Sequence, residues 1–274
     1  MLKQRIITAL VLLPLVLAAI LFAPAGVFGV VVGIALFVLG MEYGMLCGLS
    51  IAQRIAFGAV VVGTFAIAAV PWRYGVPVGT AALTAAAILW LLAPLWLATR
   101  NVLPAALKLL LGVFLLTGAG VALHGLKLAA LDGRWVLMAF VIVWAADVGG
   151  YAVGRLFGRH KLAPSISPGK TWEGLAGGIA LVLLAGLAAA VWLIAAEAYL
   201  AWLLLLLAAA VISVIGDLVE SLLKRQAGVK DSGRLLPGHG GLLDRLDSLL
   251  AVAPLFLLAG TQIGIFGELS GIGR

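Results

Sequence analysis

The sequence predicts an all-α, polytopic integral membrane protein with about nine transmembrane helices and two charged cytoplasmic loops. Of its 274 residues, 64% are hydrophobic and only 11% are charged, against roughly 25% charged in a soluble domain. Mean hydropathy is +1.23. Only helices and closed barrels satisfy their own backbone inside lipid. The apolar runs are long and do not alternate, so they are helices; barrel strands alternate over about 10 residues.

In chain order the expected spans are Ile6–Phe22, Val27–Leu46, Ile55–Val70, Thr80–Leu97, Leu109–Leu126, Trp135–Val153, Leu175–Ile194, Tyr199–Ile215 and Leu249–Phe266. Pro94 and Pro104 blur the ends of the fourth and fifth. The start, with Lys3, Arg5 and a small-residue Ala23-Pro24-Ala25 step, mimics a secretory signal. Its apolar run is longer than the usual 7–15 residues of such a signal, so a retained first span is expected. Cys47 is the single cysteine, which excludes an internal disulfide.

With the N-terminus in the cytoplasm, lysine and arginine divide fourteen inside to four outside. That bias follows the positive-inside rule and puts loops 155–174 and 217–247 on the cytoplasmic face. The net charge of +7 then addresses anionic lipid, with no nucleic acid partner implied. Residues 1–135 have short loops and one acid within a span, Glu42, and read as scaffold helices. Residues 136–274 hold both long loops and most of the acids, and read as the catalytic region.

Five acids and five bases crowd the 31 residues from 217 to 247, a third of the chain's charge. Asp217, Glu220, Ser221 and Lys224 fall at helical spacing and share a face if the eighth span continues past Gly216. Asp244, Asp247 and Ser248 do the same at the start of the ninth. A glycine-rich loop between them can fold back and join the acidic faces. Carboxylates meeting there offer oxygen ligands to a hard cation such as Mg²⁺, with positions left for phosphate oxygens. The plain alternative is a solvated loop with surface ion pairs, which contribute little.

The other loop contains Ser165-Ile-Ser167-Pro168-Gly169-Lys170-Thr171-Trp172-Glu173-Gly174. Its Gly-Lys-Thr is not a P-loop, because position 164 is Pro and no strand is expected before it. A Ser-Pro-Gly turn instead delivers Lys170 and Thr171 to the start of the seventh helix, where free backbone N–H groups favour anions. Asp147 and Arg155 lie on one face of the sixth span with Gly150, Tyr151 and Gly154; an acid inside a span is functional by default. Gly149, Gly150, Gly154 and Gly158 read as sites of close helix packing. Glu42 and Glu173 read as structural hydrogen-bond acceptors. His239, flanked by Gly238, Gly240 and Gly241, is placed to touch phosphate.

The run Ser221-x-x-Lys224-Arg225-x4-Lys230-Asp231-x-Gly233-x2-Leu236-Pro237-x-His239-Gly240-Gly241-Leu242-x-Asp244-Arg245-Leu246-Asp247 resembles the signature of the phosphatidate cytidylyltransferase (CDP-diacylglycerol synthase) family. The 155–174 loop resembles it too. The resemblance implies an inner-membrane enzyme, a homodimer, that joins CTP and phosphatidic acid into CDP-diacylglycerol and pyrophosphate with Mg²⁺. It implies Asp217 and Asp244 as the principal metal ligands, with Asp247, Ser221 and Lys224 close by and a monovalent cation such as K⁺ alongside. The chemistry suits the residues. The lipid phosphate is an ionised nucleophile, and charge crowding is the barrier that metal, lysine and arginine relieve. Lys224, Arg225, Lys230 and Arg245 are then candidates for the triphosphate, Arg155 and Lys170 for the lipid phosphate, and Thr171 and His239 for a substrate phosphate. A coupled transporter is the main rival, since acids and broken helices also suit ion pathways. The chain lacks an evident repeat, and its charges gather at one surface. A CDP-alcohol phosphotransferase would carry an Asp-Gly-x2-Ala-Arg pattern that is missing here.

Overall fold

A computed structural model describes residues 2–72, 78–236, 238 and 240–266. Among the described residues there are nine long helices: α1 Leu2–Phe22, α2 Ala25–Leu46, α3 Ile51–Trp72, α4 Val78–Thr99, α5 Ala105–Ala129, α6 Arg134–Phe157, α7 Trp172–Leu193, α8 Tyr199–Gln226 and α9 Leu243–Gln262. One small antiparallel hairpin, β1 Lys161–Ala163 and β2 Ser167–Thr171, joins α6 to α7. Seven helices, α2 to α8, are long and apolar enough to cross a membrane. The described apolar stretch of α1, Leu10–Phe22, is shorter. Helix α9 opens on the polar residues Asp244, Arg245 and Asp247.

The chain punctuates these helices with residues suited to their ends. Pro24 and Pro104 precede α2 and α5, where a missing N–H costs nothing. Gly133 starts α6 at φ 80°, a left-handed conformation that a side chain strains. Thr171 caps α7, its Oγ accepting from the Gly174 N–H at 3.1 Å.

Water cannot drive helix association inside lipid, so close approach does it. Helices α6 and α7 meet through glycine: a Cβ on Gly174 would stand 2.8 Å from the Gly150 carbonyl, and one on Gly178 would stand 2.8 Å from that of Ala146. Gly154 also lies against Gly174, and Gly158 against Gly154 and Thr171, as the packing reading of these glycines expects. At the other end of the bundle, Trp135, Trp202, Phe256 and Phe266 form an aromatic cluster. The fully buried Lys127 of α5 donates from Nζ to the Ile20 carbonyl of α1 at 2.6 Å. Leucine and valine side chains left exposed on the outer faces, such as Leu91, Leu95 and Leu184, are what a lipid-facing surface requires.

Two local features differ from the sequence reading. The second charged loop is shorter than 217–247, at residues 227–242, because helix α8 continues past Gly216 to Gln226, the condition on which the shared face of Asp217, Glu220, Ser221 and Lys224 rested. Gly216 does not break the helix, because Gly216 is a contact point for α9: a Cβ there would lie 2.8 Å from the Asp247 carbonyl and 2.9 Å from Ala251 Cβ. The expected Ser-Pro-Gly turn is instead strand β2. Ser167 precedes a proline, which pushes it into extended backbone. Glu173 pins the hairpin's base by accepting from the N–H groups of Arg159 (3.1 Å) and His160 (3.2 Å) and lying 2.6 Å from His160 Nδ1.

Candidate active site

The polar residues gather where the C-terminal parts of α6 and α8 meet the N-terminal parts of α7 and α9. Because α8 continues past Gly216, Asp217, Glu220, Ser221 and Lys224 project at helical spacing along one face. Helix α9 crosses close by at Gly216 and brings Asp247 to that face. Asp217, Glu220 and Asp247 each offer a carboxylate oxygen, all within 4.8 Å of one another. Ser221 Oγ donates to Asp217 Oδ1 at 3.1 Å. Asp247 Oδ1 accepts from the Ser248 N–H at 2.6 Å.

Three acids so close repel, and two lysines compensate them. Lys170 Nζ lies 2.6 Å from Asp217 Oδ2. Lys224 Nζ pairs with Glu220 and lies 2.7 Å from Asp244 Oδ1. Lys170 can reach α8 because the hairpin tip is fixed there. Ile166 is buried against Leu218 and Leu222, Arg225 Nε donates to the Ile166 carbonyl at 3.3 Å, and Arg100 donates to Ser165 Oγ at 2.8 Å.

Asp244, expected to pair with Asp217 as a metal ligand, is held by the loop. Its Oδ2 accepts from Ser232 N–H (2.9 Å), Ser232 Oγ (2.9 Å) and Gly241 N–H (2.8 Å), while Oδ1 meets Lys224. Glu220 stands in the acidic trio in its stead. Its spacing, one turn after Asp217, was the available signal. Asp244 is joined to the trio through Lys224, which contacts both Glu220 and Asp244.

A cavity of about 410 Å³ opens beside the trio between α6, α7 and α8. Asp147, Arg155, Lys170, Thr171 and Asp217 line it. Arg155 Nη1 donates to the Tyr151 hydroxyl at 2.5 Å, and its guanidinium lies 5.8 Å from that ring's centre. The bases Lys230 and Arg245 are exposed near the acids in sequence, and Arg245 is within electrostatic reach of Asp147. His239 lies outside the described residues.

Glu42, read from the sequence as a structural acceptor, finds its partners at the start of α9. Only 8% exposed, its carboxylate accepts from the Leu242 N–H at 3.0 Å and the Leu243 N–H at 2.7 Å. The structural-acceptor expectation holds, but no local pattern links positions 200 residues apart.

Clustered oxygen donors, lysines beside them and a cavity at one end of a bundle of membrane-length helices suit an enzyme that handles phosphates through a divalent cation. The comparisons make this specific. The cytidylyltransferase family profile matches residues 3–261. A phosphatidate cytidylyltransferase of Pseudomonas aeruginosa is 40% identical over 268 residues, covering 93% of this chain and 96% of its own. One from Haemophilus influenzae is 47% identical over 137 residues, 48% of this chain and 45% of its own. One from Staphylococcus epidermidis is 52% identical over 125 residues, 44% of this chain and 47% of its own. The chain belongs to the cytidylyltransferase family.

Proposed function

We infer that this enzyme makes CDP-diacylglycerol and pyrophosphate from CTP and phosphatidic acid. The observation that carries the reading is the similarity to a phosphatidate cytidylyltransferase along 93% of the chain. The acidic trio beside a cationic cavity supports it from the structure.

The lipid phosphate is already an anion, so no strong base is required. One of its oxygens bonds to the α-phosphorus of CTP, the bond from that phosphorus to the bridging oxygen breaks, and pyrophosphate leaves with the electron pair. The trio's all-oxygen donor set fits Mg²⁺, which supplies neutralisation of the crowded phosphate charge when bound. Asp217, Glu220 and Asp247 are the proposed holders, with Asp244 kept as a ligand on the strength of the family resemblance. A K⁺ ion beside Mg²⁺ rests on the same resemblance. Lys224, Arg225, Lys230, His239 and Arg245 bind the triphosphate, with Ser221 orienting Asp217. Lys170, Thr171 and Arg155, around the cavity, receive the lipid phosphate.

The nine helices all span, the N-terminus is cytoplasmic, and the site faces the cytoplasm at the inner membrane, where CTP arrives from water and the lipid enters sideways. Residues 1–135 are scaffold, 136–274 carry catalysis, and the working form is a homodimer. The test is pyrophosphate release by purified protein given labelled CTP, phosphatidic acid and Mg²⁺. Nucleotide turnover that depends on all three supports the reading. Solute transport without turnover sinks it.

A further inference from the structure

Helix α9 carries Asp247 but has no side-chain cap of its own, since its N-cap position is Leu242. The first N–H groups of a helix need acceptors and carry its positive end. Glu42, on α2, fills that place: Oε1 accepts from Leu242 N–H and Oε2 from Leu243 N–H. Ser232 Oγ is 3.5 Å from Oε2 and donates to Asp244 at 2.9 Å. The loop is shaped around this carboxylate, for a Cβ on Gly241 would lie 2.6 Å from Glu42 Oε2. A buried acid is costly unless fully bonded, and here its bonds go to the segment that places Asp244 and Asp247.

We propose that Glu42 is a positioning residue of the reaction centre, capping α9 from the first half of the chain so that Asp247 stays registered against Asp217 and Glu220. The proposal rests on the reading that this trio holds the divalent cation. Asp247 lies a little over one turn beyond the capped residues, a rise of roughly 6–7 Å along the helix. A shift of the helix start therefore moves it relative to α8. On this account the N-terminal half is more than a scaffold.

The experiment uses the full chain in detergent and Mn²⁺ alone as the probe, read by electron paramagnetic resonance without substrates. Glu42→Gln keeps the size but turns one acceptor into a donor that faces an N–H. Its expected effect is the one seen when groups orienting metal ligands are lost: Mn²⁺ binding and the Mg²⁺ concentration for half-maximal turnover both weaken by about 10–100-fold, while KM for phosphatidate stays within about twofold. Backbone hydrogen exchange at Leu242 and Leu243 should accelerate in the metal-free protein. A Glu42→Gln enzyme that melts earlier but binds Mn²⁺ like wild type makes Glu42 merely structural and overturns the proposal. Should that variant fail to accumulate, Glu42→Asp, which keeps the charge but shortens the reach to the Leu242 and Leu243 N–H groups, carries the same test: weaker Mn²⁺ binding supports the proposal and wild-type binding overturns it. Asp247→Asn is the control. If it too binds Mn²⁺ like wild type, the metal reading underneath has failed; if only Glu42→Gln does, the positioning role alone has failed.

Discussion

The α6–α7 seam and the α8–α9 seam are both tight, and they are tight for opposite reasons. Along the first, side chains have been removed: Gly149, Gly150, Gly174, Gly177 and Gly178 let backbone rest on backbone. Along the second, one glycine contact at Gly216 brings acids together that would otherwise repel. The first seam is self-sufficient. The second needs bracing from outside it, by Lys170 from the hairpin and Glu42 from α2. Chemistry sits where the bracing is, because a site for a cation must hold like charges closer than they would settle alone.

The harshest way to break the comparison is to neutralise an acid of the second seam. Asp217→Asn or Asp247→Asn should cost turnover about 10²–10³-fold, the scale for losing one preorganised electrostatic group. Stability should survive, because each change also relieves repulsion. Pyrophosphate release and thermal melting, measured side by side, separate the two effects. Robust turnover in either variant would remove that residue from the site.

The first seam should fail in the other currency. A Cβ on Gly149 would stand 2.5 Å from the Gly177 carbonyl and 2.9 Å from Leu181 Cβ. Backbone cannot yield as a side chain tip can, so Gly149→Leu should cost at least the upper part of the about 1–3 kcal/mol typical of overpacking. Tryptophan-fluorescence melting in detergent reads this. A wild-type melting temperature would mean the helices are not in contact there.

Much of this difference was legible in the sequence. The glycine spacing of α6 announced close packing, and the spacing of Asp217, Glu220, Ser221 and Lys224 announced a shared polar face. What could not be read were the partners. The strand at 167–171 depends on β1 and on Glu173, and Glu42 meets α9 only through tertiary folding. Asp244 and Glu220 look alike as acids in a motif. Only the folded loop shows Ser232 and Gly241 already bound to Asp244.

A milder variant sharpens the role of bracing. Lys170 sits on Asp217 with side-chain exposures of 23% and 29%. A pair that accessible contributes at most about 1 kcal/mol. Lys170→Met should therefore tighten Mn²⁺ binding by about two- to fivefold, since the cation no longer competes with an ammonium. The same variant should raise KM for phosphatidate if Lys170 receives the lipid phosphate. Weaker Mn²⁺ binding would show that the acids need Lys170 as a brace even when the cation is bound.

The smallest effect belongs to the seam between α7 and α8, which mixes both devices. Trp202 is fully buried, and its Nε1 donates to the Gly186 carbonyl at 2.9 Å across the helices. Trp202→Phe keeps an aromatic ring against Trp135 and Phe256 but removes that bond. Hydrogen bonds between membrane helices contribute about 0.6 kcal/mol on average, so melting should fall slightly and Mg²⁺ dependence should not move. The bond lies at the aromatic end of the bundle, away from the acids. A change in metal dependence here would mean that the two ends are mechanically linked through α8, and the separation between self-sufficient and braced seams would no longer hold.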